Sequence, residues 1–318
     1  MKGIMLPYEI EVESVAYQSE AFALGMIKPN IQHYDQWLST KYINFMFDGN
    51  FVLYGEDLLS IKDGLCIKTA WNMIYEAFQA FCPDLIQKNK QMLEQGYYIL
   101  GTFDEFYIPG KFGYKNRHRT DSYLIYGYDD DSGVFKAAGY LDNGKYECYD
   151  ITYNNYHASI ACCKTQNPYH QLEYIHINSE YRTEINISRI KTQLTDILNS
   201  SGQTYPRLNT RLGIQAGKYF EEYISEVSEI DMRYMRTYLE HKSLMDYRIK
   251  YLLKNGYIAN ETIFSSYAEV FQRASQAFNI YLEYLQSGNA DLRKQMLILI
   301  KEANEKEPAI IELLEAAL

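Results

Sequence analysis

Cysteine is scarce in this chain: five residues, at Cys66, Cys82, Cys148, Cys162 and Cys163, with no Cys-x-x-Cys spacing. Neither a disulfide framework nor a cysteine-rich zinc module is indicated, and reduced thiols in a cytoplasmic setting are the expectation. Positive charge is also short. Lys and Arg total 31 against 41 Asp and Glu, a formal net charge of −10. Such a chain lacks the positive field that a general nucleic-acid binder needs. No apolar run approaches the roughly 20 residues that span a bilayer, and the N-terminus shows no basic-then-apolar leader pattern, so no membrane partner is expected. The P-loop, the dinucleotide fingerprint, the Gly-x-Ser-x-Gly elbow and His-Glu-x-x-His are all missing, so no metal and no resident cofactor are expected.

Tyrosine, by contrast, is abundant at 32 residues. Rings that bury their faces while their hydroxyls reach water suit broad amphipathic surfaces, although codon bias would give the same count. The segment Gly96–Tyr153 organises the rest. Aromatic and aliphatic runs there are punctuated by Asp131-Ser132-Gly133 and Asp142-Asn143-Gly144, the pattern of consecutive strands joined by tight turns. A short helix is predicted over Glu20–Ile27, with Ser19 as its N-cap and Pro29 beyond its end. Helix-like spacing continues over Tyr34–Phe47 and over Leu58–Leu93, the latter interrupted at Asp63-Gly64 and near Pro83. His170–Asn178 alternates like a last strand. Beyond it, helices are predicted over Ile187–Leu198, Gly213–Val227, Glu229–Lys254, Glu261–Gln286 and Leu292–Ala303, with a final one from Pro308. Gly256 and Gly288 fall where helix C-termini favour a left-handed residue. The expected fold class is α+β: a first domain at 1–179, helix plus antiparallel sheet, and a helical lid or docking domain at 180–318.

Chain order suggests chemistry. A hydroxyl at a helix N-terminus (Ser19) comes first, a strand ending Ile-Tyr-Gly-Tyr-Asp follows, and a second strand ends at the acid Asp142. A helix N-terminus favours negative charge on a nucleophile and offers N–H groups to an oxyanion, while adjacent strands can hold a base and its acid together. This is the layout of papain-like enzymes. Tyr17-Gln18-Ser19, Gly101-Thr-Phe-Asp104-Glu-Phe-Tyr-Ile-Pro109, Arg117-His118-Arg119 and Leu124-Ile-Tyr-Gly-Tyr-Asp129 together resemble the N-terminal domain of the butirosin biosynthesis protein H family. The resemblance covers roughly residues 10–165, and Arg211-Leu-Gly213-Ile-Gln-Ala is similar in style. It implies a papain-like, cysteine-peptidase-type fold. It also implies an acyltransferase of an antibiotic or nonribosomal-peptide pathway, moving an acyl group from a carrier-protein thioester to a small-molecule amine. The phosphopantetheine arm of an acyl or peptidyl carrier protein would then bear the substrate.

Two positions depart from that family pattern. The nucleophile there is cysteine, and Ser19 stands in its place; a hydroxyl is a far poorer nucleophile than a thiolate without a strong base. A serine enzyme, a replaced cysteine and an inactive site are all open at this point. The histidine expected six residues before the Ile-Tyr-Gly-Tyr glycine is Asp121, and the nearest imidazole is His118. The expected catalytic set is therefore Ser19, His118 as base, and Asp142 or Asp121 as the orienting acid. Gln18, Asp104, Glu105 and Tyr107 are candidates for substrate binding. Lys111, Lys115, Arg117 and Arg119 form a basic loop suited to docking an acidic carrier protein, and Arg233, Arg236, His241, Lys242 and Arg248 form a second basic stripe. Each has a plain structural alternative: Ser19 as an N-cap, Asp142 as a turn residue, the basic loop as a solvated turn. Cys66, before Trp71, is a rival nucleophile, and the Cys162-Cys163 pair reads as packing. A peptidase or amidase, and an inactive partner-binding relative, are the competing functions. A homodimer is compatible with all of these.

Overall fold

The structure is a computed structural model that describes residues 2–48, 51–54, 67–74, 84–166, 171–182, 184–202 and 210–318. In chain order it contains β1 (Gly3–Met5), α1 (Gln18–Ile27), α2 (Tyr34–Leu38), β2 (Asn44–Phe47), β3 (Phe51–Tyr54), β4 (Ile67–Ile74), α3 (Leu85–Glu94) and β5 (Tyr98–Asp104). A single 3-10 turn (Glu105–Tyr107) leads to β6 (Thr120–Asp129), β7 (Val134–Tyr140), β8 (Tyr146–Thr152), α4 (Tyr153–Gln166) and β9 (Gln171–Ile177). Then come α5 (Ile187–Asn199), β10 (Arg211–Leu212), α6 (Gly213–Glu226), α7 (Met232–Lys254), α8 (Glu261–Ser287) and α9 (Ala290–Ala317). The class is α+β, and no described helix is long and apolar enough to cross a membrane.

The chain divides into two compact units. The first takes residues 1–32 and 59–181. Its antiparallel sheet runs β4-β9-β5-β6-β7-β8, with β1 added against β6. The turns form for local reasons. Gly133 takes φ +68° while the Asp129 carboxylate accepts from the Asp131 N–H and the Ser132 hydroxyl, closing β6 onto β7. Gly144 takes φ +73° and the Asn143 side-chain Oδ1 accepts from the Lys145 N–H, closing β7 onto β8. One sheet face presents Ile99, Phe103, Tyr123, Ile125, Phe135, Ala137 and Ile151, each fully buried, against Leu93 of α3 and Tyr156 and Ile160 of α4. At about 1.5–3 kcal/mol for each large side chain removed from water, this layer fixes the strands that carry the site.

The second unit, residues 33–58 and 182–318, is not purely helical. A three-stranded sheet, β10-β2-β3, joins helices α5 to α9. Residues 34–47, expected as one helix, form the short α2 and then strand β2. Arg248 explains their place: wholly buried, it donates from Nε to the Ser39 carbonyl at 2.9 Å and from Nη2 to the Lys41 carbonyl, while His241 Nε2 donates to the Ile43 carbonyl at 2.9 Å. These bonds satisfy carbonyls that a continuous helix would have used internally, and they tie 33–58 to α7 instead of the sheet domain expected at 1–179.

The second basic stripe therefore dissolves. His241, Lys242 and Arg248 face the interior, and Lys242 pairs with Glu307 at 2.5 Å. The helix expected to break at Pro308 runs on unbroken as α9, because Ile310, Ile311 and Leu314 beyond the proline remain buried in the same core as Ala303 before it. The interruption at Asp63-Gly64 and near Pro83 falls outside the described residues. Within the zone 58–93, Ile67–Ile74 is strand and only Leu85–Glu94 is described as helix.

Candidate functional site

Helix α1 begins two residues earlier than expected. Tyr17 is the N-cap, in an extended conformation and without a side-chain cap, so Ser19 is the second helical residue and not the cap. Its side chain is exposed and makes no hydrogen bond among the described residues. Gln18, beside it, does the connecting. The amide Nε2 donates to Asp121 Oδ1 at 2.9 Å, and Oε1 accepts from the Tyr140 N–H at 3.0 Å. This joins the α1 N-terminus to β6 and β7.

Lys111 completes that cluster. It is 2% exposed, donates to the Tyr140 carbonyl at 2.7 Å and stands 3.9 Å from Asp121 Oδ2. Its ammonium lies 5.2 Å from the centre of the Phe103 ring and 4.9 Å from that of Tyr149. Burial pulls the Lys111 pKa down, with Asp121 and Glu105 opposing. Lys111 is therefore no surface docking residue. Gly139 leaves the room for this arrangement: a Cβ there would come within 2.9 Å of Gln18 Oε1 and 3.1 Å of Lys111 Nζ. The buried Tyr149 hydroxyl nearby has no hydrogen-bond partner among the described residues.

A second cluster forms around His118. Its Nδ1 lies 2.6 Å from Asp104 Oδ2, and the ring stacks on Phe106 with centroids 4.4 Å apart. Asp104, expected to meet substrate, is fully buried instead. Its Oδ1 accepts from the N–H groups of Phe106 (3.0 Å) and Arg119 (3.2 Å). Burial alone would raise the Asp104 pKa, but hydrogen bonds from Cys162, His118 and the two N–H groups outweigh it and hold the carboxyl below its ordinary value. Cys162, on α4, places Sγ 3.6 Å from His118 Nδ1. Tyr107 is half-buried and hydrogen-bonds to Cys162; burial and that contact raise the phenol's pKa.

Glu105 is also buried and accepts from the Gly113 N–H at 3.0 Å, with Arg119 Nε 3.9 Å away. Burial raises its pKa against the pull of Arg119. Asp142 sits exposed in its turn, where its N–H donates to the Gly110 carbonyl at 2.8 Å; the acid on His118 is Asp104, not Asp142. Lys115, Arg117 and Arg119 are exposed.

Strand parity explains the separation into two clusters. In the β5–β6 ladder Phe103 faces Asp121 and Asp104 faces Thr120. Directly opposed residues share a sheet face and neighbours along a strand alternate, so Asp104 and Asp121 project to opposite faces. Gln18, Lys111 and Asp121 form one cluster, and Asp104, His118 and Cys162 form a second. The rival nucleophile Cys66 lies outside the described residues.

Cys162 is the site residue that sequence reasoning missed. Tyr156, Ile160 and Cys163 at helical spacing mark α4, and that stripe places Cys162 one step off the buried face. Against this geometry, the sequence matches no family model and no curated protein.

Proposed function

We propose that the chain is a partner-binding relative of papain-like acyltransferases, docking an acidic acyl or peptidyl carrier protein without forming an acyl-enzyme at position 19. The observation that carries this reading is the Gln18–Asp121–Lys111 network at the head of α1. The meeting of α1 with β6 and β7 supports the papain-like part of the proposal. An acyl-enzyme at Ser19 needs a base able to take a hydroxyl proton near neutral pH. A carboxylate that already accepts an amide N–H and faces an ammonium serves that purpose badly, and the imidazole of His118 is engaged by Asp104 instead.

Docking is assigned to the exposed part of the loop. Lys115, Arg117 and Arg119 carry positive charge on a chain of net −10, and the Arg117 guanidinium lies 4.8 Å from the centre of the Phe112 ring, itself 57% exposed. Such local contrast in sign steers an acidic partner and fixes its orientation.

The test is binding of a loaded carrier protein by fluorescence anisotropy at several salt concentrations, alongside acyl loss from its thioester. Lys115→Glu/Arg117→Glu is expected to weaken binding at least tenfold and flatten its salt dependence. Acyl loss is expected to be the same for the native chain and Ser19→Ala. Acyl loss that disappears in Ser19→Ala would refute the binding reading and restore the acyltransferase.

A further inference from the structure

We infer that Asp104, His118 and Cys162 form a binding site for a zinc-class divalent cation. The Asp104 carboxylate oxygen, His118 Nδ1 and Cys162 Sγ lie within 4.8 Å of one another, brought together by strand β5, the loop after the 3-10 turn and helix α4.

The competing description is a nucleophilic cysteine with a His–Asp pair behind it. In that arrangement the acid holds one ring nitrogen and the thiol the other. Here both Asp104 Oδ2 and Cys162 Sγ approach the same nitrogen, Nδ1, at 2.6 and 3.6 Å. One imidazole nitrogen carries either a proton or a lone pair. It cannot donate to Asp104 and accept from Cys162 together, so the set does not work as a triad. Three donor atoms converging on one point is what a cation requires.

The distances fit. With Zn–S about 2.3 Å and Zn–N about 2.05 Å in a tetrahedral site, sulfur and nitrogen stand about 3.6 Å apart across the ion. That is the separation seen for Cys162 and His118. The nitrogen–oxygen separation would be about 3.3 Å, so the Asp104–His118 contact of 2.6 Å opens by roughly 0.7 Å as its hydrogen bond gives way to two metal bonds.

The supporting shell is in place. Asp104 is fixed by the Phe106 and Arg119 N–H groups, the His118 ring by its stack on Phe106, and Cys162 by Tyr107. A thiolate, an imidazole and a single carboxylate favour zinc over magnesium or calcium, which take oxygen. Three protein ligands leave a fourth position. The His118 side chain is 48% exposed, and water or a carbonyl oxygen would fill the fourth position.

The experiment uses the full chain, stripped with a chelator and titrated with Zn²⁺, and separately with Co²⁺ as a spectroscopic probe. One zinc per chain by elemental analysis is expected, with a thiolate-to-cobalt charge-transfer band in the near ultraviolet. Cys162→Ser and His118→Ala are each expected to lower affinity by at least ~10²-fold, the upper end of what even supporting-shell changes cost. Cys148→Ser, which removes an exposed cysteine elsewhere, is expected to leave affinity unchanged. Far-ultraviolet circular dichroism checks that each variant folds; should His118→Ala unfold, Cys162→Ser, which preserves side-chain shape, still decides the question. Failure to take up zinc stoichiometrically, or cobalt binding that survives Cys162→Ser with its charge-transfer band intact, overturns the assignment.

Discussion

Lys242→Met should be among the most damaging single changes in the second unit. Lys242 is wholly buried on α7. Its ammonium donates to Glu307 Oε2 at 2.5 Å and lies 4.8 and 4.9 Å from the ring centres of Phe45 and Tyr238. Glu307, on α9, also accepts from the Tyr267 hydroxyl at 2.6 Å, so α7, α8 and α9 meet at one carboxylate. Burial drives the Lys242 pKa down and the glutamate restores part of it. Replacing the lysine leaves Glu307 buried with a single neutral donor. Breaking one side of a buried pair costs about 3–5 kcal/mol. In a unit of this size about 2–4 °C is lost per kcal/mol, so the melting temperature should fall by roughly 6–20 °C. Lys242→Met/Glu307→Leu removes both charges but strands the Tyr267 hydroxyl, a residual cost of about 1–3 kcal/mol. Adding Tyr267→Phe should return stability to within about 2 kcal/mol of the native chain, since well-packed apolar replacements of buried pairs are often neutral. Differential scanning calorimetry, with urea unfolding for the free energies, measures the series. A single variant within about 1 kcal/mol of the native protein, or a triple variant no better than the single, would show that charge burial does not dominate this core.

Two further outcomes follow from local geometry. In the first unit, Lys90 of α3 holds Asp130 at 2.5 Å while lying 4.2 Å from the centre of the Tyr153 ring, and the hydrogen bond from Lys90 is the main reason the Asp130 carboxyl is held below its ordinary value. A depressed carboxylate stabilises the fold above its unfolded pKa of about 3.9, and that contribution fades as pH falls through the folded value. Asp130→Asn should therefore lower the melting temperature by a few degrees at pH 7, with the two curves converging as pH falls through the lowered carboxyl pKa of the folded protein. Pro308→Ala should raise the stability of the second unit by about 1–3 kcal/mol, because it returns an N–H to the Asn304 carbonyl in the interior of α9; unchanged urea unfolding would mean that the helix had already adapted to the ring.

What could be read from the sequence was local. Asp131-Ser132-Gly133 and Asn143-Gly144 announce their turns because few other residues adopt those backbone angles, and Gly256 and Gly288 end α7 and α8 for the same reason. The long helices after residue 187 follow from periodicity, and their limits fall within about three residues of those expected, apart from the join across Pro308. What periodicity could not reveal was where charge is buried. Lys242 and Arg248 read as part of a basic docking stripe, since an ion-pair partner 65 residues away or a carbonyl acceptor 209 residues away leaves no mark on the local pattern. Residues 34–47 failed for the same reason: their carbonyls are satisfied by Arg248 and His241, which a helix prediction cannot see.

The candidate site failed at a finer scale, that of strand parity. Sequence order placed Ser19, His118 and Asp142 on successive elements, which is necessary for a triad but not sufficient. A strand sends alternate side chains to opposite faces, so a difference of one position decides which face an acid serves. With Phe103 opposite Asp121 and Asp104 opposite Thr120, the acid that receives His118 is one position out of step with the acid that Gln18 meets. Position 121 already meets Gln18, and there the chain has a carboxylate. A histidine brought in at 121 would stand where Gln18 is already met, whereas His118 is held by Asp104 beside Cys162.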